Sequence, residues 1–481
     1  MRRDSKIIIK ILCYILMILG ASMLLPGIVG IVYAERLAAK VYLATGLVLL
    51  LVGFLGARLI PKGDIHLMLM RDGFIVVASA WLLLSLFGAI PFVLIGDIPS
   101  YSSAFFETAS GFSTTGSTCL TDVEALTKAS LFWRSFTHWL GGMGILVMTI
   151  ALLPKLGIGG QRLMRAETTG LSLDKSTSTF SKSAQYLYNI YIALTIAEII
   201  LLKVSGLGFY DACIHTFGSV GTGGFSTYNQ SIGAFHNIYA EIIIVVFMLL
   251  CGINFANLSL LFTGKVKQAF RDVELKVYLG LILGASVIIA LVLFLQNYYS
   301  LGDSIRYSVF QVVSIITTTG YTTADYDLWP ECCKLIIFLL MFIGGCAGST
   351  GGGMKVIRIV LISKLIRRGA RRKLHPNNIF PISIGNHTIQ DSLAMDACGY
   401  VGLYAFIAMI SCLLLSLENV DFVTNFSSVI SALSNVGPGF NLVGPTLNFA
   451  FYSPAAKILL ALLMIAGRLE LYTMFVIFEK R

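Results

Sequence analysis

The chain has 481 residues, 56% of them hydrophobic and 12% charged, with a mean hydropathy of +0.83 and a formal net charge of +10. A soluble domain carries roughly 25% charged residues, so the composition excludes a water-soluble globular protein and points to apolar membrane helices of about 20 residues. Nine cysteines stand scattered in apolar context, with no C-x-x-C pair and no histidine spacing suited to zinc; they read as small buried hydrophobes.

Two apolar segments come first, near 8–33 and 40–60. After Arg2, Arg3 and Lys6 the first runs on too far for a cleavable signal peptide. The break Arg58-Leu-Ile-Pro-Lys-Gly-Asp64 then opens a unit that recurs four times: long helix, short helix, Thr/Ser/Gly loop, long helix, basic linker. The first unit predicts helices over 72–96, 101–112 and 131–153, with the loop Ser113-Thr-Thr-Gly-Ser-Thr118. The second predicts 184–204, 208–218 and 237–263, with the loop Ser219-Val-Gly-Thr-Gly-Gly-Phe-Ser-Thr227. The third predicts 274–297, 302–316 and 332–363, with the loop 317–323; the fourth predicts 393–416, 420–433 and 454–478, with the loop Ser434-Asn-Val-Gly-Pro-Gly-Phe440. The key glycines Gly116, Gly224, Gly320 and Gly437 lie 108, 96 and 117 residues apart, the mark of an internal repeat. Each short helix is too short to cross a bilayer and fits a re-entrant segment. The expected organisation is an N-terminal helix pair over 1–65 and four repeats over 66–165, 166–268, 269–375 and 376–481.

Lysine and arginine gather before the first span (Arg2, Arg3, Lys6, Lys10) and in the linkers between units (Lys155, Arg162, Arg165; Lys265, Lys267, Arg271; and Lys364 to Lys373 with Arg367, Arg368, Arg371 and Arg372). The positive-inside bias places these in the cytoplasm, with both termini there and ten spans between. The +10 charge is thus a topology signal, and nucleic-acid binding is excluded. Asp97, Asp122, Glu124, Asp211, Asp303, Asp325, Asp327, Glu331, Glu418 and Asp421 flank the short helices and would form an acidic outer vestibule that concentrates cations.

A dehydrated monovalent cation needs several partial negative charges and no full counter-charge to trap it, which backbone carbonyls and hydroxyls supply. Glycine permits the dihedrals that turn successive carbonyls to one side, and each short helix aims its negative C-terminal pole at the ion. The candidate filter residues are Thr114, Thr115 and Gly116; Val220, Gly221, Thr222, Gly223 and Gly224; Thr318, Thr319 and Gly320; and Asn435, Val436 and Gly437. In the second loop Gly223 and Gly224 compete, and Gly224 is preferred because Gly-Phe-Ser-Thr aligns with Gly320-Tyr-Thr-Thr. Small residues in one such cluster serve ordinary helix packing; four clusters in register argue for a pore.

The second long helix of unit three is interrupted by Gly344, Gly345, Gly348, Ser349, Thr350, Gly351, Gly352 and Gly353. Glycine is up to about 1 kcal/mol worse than alanine in a helix, and broken backbone at membrane depth is tolerated where it lines an aqueous cavity. No Walker-type phosphate loop fits, since Met354 separates Gly353 from Lys355 and no strand precedes the run. Arg468 interrupts the last apolar segment 31 residues beyond Gly437, as Gly351 lies 31 beyond Gly320. Pseudosymmetry puts the two at one depth, as parts of one inner barrier. Asn254 and Asn257 lie at similar depth, as helix-joining residues or pore lining, while Glu107 and His138 read as a pore-helix anchor and a packing residue. No nucleophile motif or metal-ligand cluster supports an intramembrane enzyme.

These loops, together with His138-Trp-Leu-Gly-Gly-Met-Gly144 and Gly344-Gly-Cys-Ala-Gly-Ser-Thr-Gly-Gly-Gly-Met-Lys355, resemble the pore subunits of bacterial Trk-type potassium uptake systems in the Trk/Ktr/HKT superfamily, from about residue 66 to the C-terminus. The two extra N-terminal spans resemble the TrkH branch. The resemblance implies an all-α integral membrane protein of four M1–pore helix–filter–M2 repeats around a pseudo-fourfold pore. It also implies K⁺ as permeant ion with no organic cofactor on this chain, a homodimer in the cell inner membrane, and a cytoplasmic TrkA-like nucleotide-binding ring. Ion-coupled K⁺ symport is the alternative within transport. None of the loops carries a full Thr-Val-Gly-Tyr-Gly, so looser selection against Na⁺ or Rb⁺ is expected. The segment 364–373 has two candidate partners, anionic lipid and the regulatory ring.

Overall fold

The computed structural model describes residues 5–60, 70–144, 177–378, 380–384, 387–469 and 471. The linker cations Lys155, Arg162 and Arg165, the end of the helix expected over 131–153, Glu470 and the terminal Lys480 and Arg481 lie outside the described residues.

Helices α1 (Ser5–Val32) and α2 (Arg36–Leu59) form the N-terminal pair. Their backbones approach closely because glycine faces glycine: a Cβ on Gly46 would stand 2.8 Å from the carbonyl of Gly20, the small-residue packing of membrane helices. The first repeat follows as α3 (Met70–Gly88), α4 (Ile90–Ile95), the short α5 (Tyr101–Phe112) and α6 (Lys128–Gly142). The second comprises α7 (Thr177–Val204), the short α8 (Phe209–Gly221), α9 (Ile238–Cys251) and α10 (Phe255–Phe262), with α11 (Val266–Ala269) in the linker. The third comprises α12 (Val273–Leu295), the short α13 (Leu301–Ile316), α14 (Glu331–Ile343) and α15 (Val356–Leu374). A small hairpin, β1 (Ile382–Ile384) with β2 (His387–Ile389), precedes the fourth: α16 (Asp391–Leu415), the short α17 (Phe422–Ser434) and α18 (Pro454–Arg468).

Each short helix leans on the second helix of the repeat before it: α5 on α18, α8 on α6, α13 on α9 and α17 on α14. The packing therefore closes in a cycle. Among the described residues six helices are long and apolar enough to cross a membrane, or seven if the bent pair α9–α10 counts as one span. The fold is that of an all-α integral membrane protein.

The structure departs from the expected elements in two places. The helix expected over 237–263 is bent by 111° between α9 and α10. Asn254 causes the new start, its side-chain oxygen accepting from Ala256 N at 2.8 Å as an N-cap. The carbonyls freed at the end of α9 are taken by the glycine loop: Cys346 N donates to Gly252 O at 2.9 Å and Thr350 N to Cys251 O at 3.3 Å. Asn257 donates to Asp272. Asn257 thus ties α10 to the start of α12, while Asn254 caps its own helix. The hairpin is the second departure; it covers the apolar face of α15 with Ile382 packed against Leu361, Ala394 and Ala397.

Candidate functional site

The four short helices end in the same way. Residues Thr114, Thr222, Thr318 and Asn435 have φ of 55°, 54°, 57° and 56°, and two positions later Gly116, Gly224, Gly320 and Gly437 have φ of 82°, 80°, 81° and 107°. A β-branched threonine in the left-handed region is a genuine outlier, and such strain, on the order of 1–3 kcal/mol per residue, gathers at functional sites. The repeated dihedrals settle the second loop in favour of Gly224.

The loops also touch in a closed circle. A methyl on Gly116 would collide with the carbonyl of Gly223, one on Gly224 with that of Thr319, and one on Gly320 with that of Val436; one on Gly437 would stand 2.7 Å from that of Thr115. Each partner carbonyl belongs to the residue just before the next loop's glycine. The circle thus runs through all four repeats and returns to the first. The predicted residues Thr115, Gly223, Thr319 and Val436 are brought together by it. Val220 and Gly221 are not: α8 extends through them, and Gly221 packs against the backbone of His138.

Side chains brace the circle from behind. Tyr321 Oη lies 3.0 Å from His215 O and 3.2 Å from Phe225 O, to which it donates. Ser314 donates to Tyr321 O at 2.6 Å. In the fourth loop Ser117 and Ser431 both donate to Gly437 O at 2.8 Å. Asn435 Nδ2 donates to Thr115 Oγ1 at 2.9 Å and to Met464 O at 2.8 Å. Glu107, 1% exposed, pairs with Arg134, 2% exposed, at 2.6 Å and also accepts from Cys119 N and Thr118. Arg134 lies 4.1 Å over the Phe225 ring and donates to Ser226 O. His138 Nδ1 lies 2.8 Å from Gly111 O, and Phe225 N donates to its Nε2 at 3.2 Å. Glu107 is thus the anchor expected, and His138 holds the second loop. Arg134 was missed, although a lone arginine in an apolar segment is a readable signal.

Outside the circle a cavity of about 190 Å³ has the four glycines as its floor. The carboxylates expected around it stand at its rim, where Asp122 and Glu124 accept from Asn229 and Asp325 accepts from Thr446. Among the described residues the wall carries hydroxyls, amides and Arg134 but no carboxylate. The acids are used at helix starts and rim contacts: Asp97 accepts from Thr127, Glu418 from Ser453 and Asp327 from Asn441 N. Asp421 caps α17; burial raises its pKa, but hydrogen bonds from Thr424 and Asn441 outweigh that and hold it below the ordinary carboxylate value.

On the other side lies the glycine run. Gly344, Gly348 and Gly353 have φ of 72°, 72° and 71°, which glycine alone adopts freely. Gly352 N donates to Thr318 Oγ1 at 2.6 Å, and a Cβ on Gly351 would meet Thr317 O at 2.9 Å. The loop therefore lies directly against the first strained residue of the third filter loop. Ser349 Oγ turns back to Cys346 O, and Gly345 accepts from Val356 N. Arg468 donates to Thr350 O at 2.6 Å and to Gly141 O and Gly142 O at 2.7 and 2.9 Å. Arg468 and the glycine loop are thus in direct contact through Thr350.

Fold and site define a class: a multi-pass helical membrane protein whose four re-entrant segments meet in one carbonyl-edged ring. The TrkH family, described as cation transport protein, matches residues 59–481. Similar proteins include the Trk system potassium uptake protein TrkH of Salmonella typhimurium and that of Escherichia coli K12, each 37% identical over 98% of this chain and 98% of the relative. The crystal structure of the potassium transporter TrkH from Vibrio parahaemolyticus superposes with a TM-score of 0.89 at 33% identity, covering 99% of both chains. The chain belongs to the TrkH family. Its relatives are named transport proteins, not enzymes.

Proposed function

We propose that this protein takes up K⁺ across the cell inner membrane, passing it dehydrated through the ring of Thr115, Gly223, Thr319 and Val436 carbonyls and their flanking glycines. The single observation that carries this reading is the closed circle of glycine–carbonyl contacts, because it ranges carbonyl groups from all four loops around one opening without a counter-charge. The short helices add their negative C-terminal poles. The names of the relatives, potassium uptake proteins, supply the ion.

The glycine loop and Arg468 act as the inner barrier, opened from the cytoplasm. The four repeats, the cytoplasmic placement of both termini, a homodimeric assembly and a nucleotide-binding ring as regulator belong to this reading. The exposed basic end of α15, with Arg371, Arg372 and Lys373 in its last turn, is a docking surface open to that ring or to anionic lipid.

Rubidium uptake into proteoliposomes tests the proposal. Uptake that K⁺ competes away far better than Na⁺ supports it; absence of uptake overturns it. Uptake that requires a Na⁺ or proton gradient would make the protein a symporter instead of a passive pathway.

A further inference from the structure

Glu274 stands in the first turn of α12, 5% exposed, and the transport reading gives it no part. Its Oε1 accepts two backbone hydrogen bonds, from Ala347 N at 2.8 Å and from Ile357 N at 3.0 Å. These two amides lie on either side of the tip of the glycine loop. Ile357 is in the first turn of α15, where backbone N–H groups lack an intrahelical partner, and the residue at the N-cap, Lys355, makes no side-chain cap. Glu274 thus caps α15 from another helix and holds the far end of the loop with the same oxygen.

We propose that Glu274 is a positioning residue for the inner barrier, a clasp that closes the neck of the glycine loop onto α12. This inference rests on the reading of residues 344–353 as the barrier. The neck has its own backbone bonds, Met354 N to Phe342 O and Val356 N to Gly345 O, both 3.2 Å; Glu274 adds the tie to α12. Beyond the neck, the tip is held by separate contacts: Gly352 to Thr318, Thr350 to Cys251 and Arg468 to Thr350. The tip can therefore release while the clasp stays closed, and the barrier re-forms without the loop being rebuilt. Losing the clasp raises the entropy of the open loop and favours a leaking state.

Two conservative variants separate reach from charge. Glu274→Asp keeps the charge but is one methylene too short to serve both amides. Glu274→Gln loses the charge and keeps the accepting oxygen. In proteoliposomes of the full chain without a regulator, rubidium flux is expected to rise about tenfold in Glu274→Asp, as leaving one buried backbone amide without its acceptor implies. It should stay within about twofold of the parent in Glu274→Gln. Amide exchange over 345–357 in detergent should quicken in the aspartate variant only. Parent-like flux or exchange in Glu274→Asp overturns the clasp, as does a glutamine variant that leaks equally. Arg468→Ala is run alongside: if it raises flux while Glu274→Asp does not, the clasp alone falls, and if neither does, the barrier reading falls with it.

Discussion

Arg468 Nη1 donates to the carbonyl of Thr350 at 2.6 Å, joining the last helix of the fourth repeat to the broken helix of the third. The same guanidinium holds the C-terminal carbonyls of α6 through Gly141 and Gly142. One side chain therefore ties three repeats together, and on the proposed reading it brings a fixed positive charge to the path of a cation.

Replacing it acts through both effects. A guanidinium about 5 Å from a cation at an effective dielectric near 20 repels it by about 3 kcal/mol. Arg468→Ala is expected to raise rubidium flux by up to about a hundredfold. Arg468→Lys keeps the charge but not the planar fork that serves carbonyls of two segments, and should fall between. Flux assays on reconstituted protein at matched density check both.

Gly320→Ala places a methyl against the Val436 carbonyl at a φ of 81°. The left-handed conformation alone is unfavourable by roughly 1–2 kcal/mol for an L-residue, and the clash pushes the third and fourth loops apart. The expected outcome is protein that still folds and has lost preference for K⁺ over Na⁺, read as competition against rubidium uptake. Gly402, with open space around its Cα, should accept alanine without effect.

Glu107 and Arg134 form a pair that is dry on both sides. Removing one partner of such a pair typically destabilises by about 3–5 kcal/mol, since it strands a buried charge. Arg134→Met should therefore lower the melting temperature in detergent sharply. Combining it with Glu107→Gln should recover part of the loss, which a thermal-unfolding double-mutant cycle measures.

Thr318 Oγ1 accepts from Gly352 N, a direct link from the third re-entrant loop to the glycine loop, the proposed filter and barrier. Thr318→Val keeps the shape and removes the acceptor, leaving a buried amide unsatisfied at about 1–3 kcal/mol. The loop should be less well held, with basal rubidium flux raised several-fold, whereas Thr318→Ser should behave like the parent. Equal flux in both variants would detach the two elements.

The architecture was legible because the physics repeats. Short apolar helices followed by Thr-x-Gly three times and Asn-x-Gly once, at nearly even spacing, specify re-entrant segments, and the bounds of α5 and α13 lie within a residue of those predicted. Arg468 was readable because a charge in an apolar helix demands a reason. The bend at Asn254 was not, since a single Gly-Ile-Asn in an apolar run breaks a helix only when other backbone arrives to use the freed carbonyls. The exact place of the acidic residues was not legible for a related reason. Asp421 is the N-cap of α17, while Asp122 and Asp325 bond Asn229 and Thr446 of the wall from outside it. Glu274 and the Tyr321 hydroxyl act on residues 73 and 106 positions away, and no local pattern announces such partners.

The central claim is that an alkali cation sits inside the circle of glycine–carbonyl contacts. Crystals grown or soaked in rubidium, with anomalous density collected at its absorption edge, test it most directly. Density is expected on the common axis, within coordination distance of the carbonyls of Thr115, Gly223, Thr319 and Val436. An empty ring, with rubidium bound elsewhere in the chain, would contradict it.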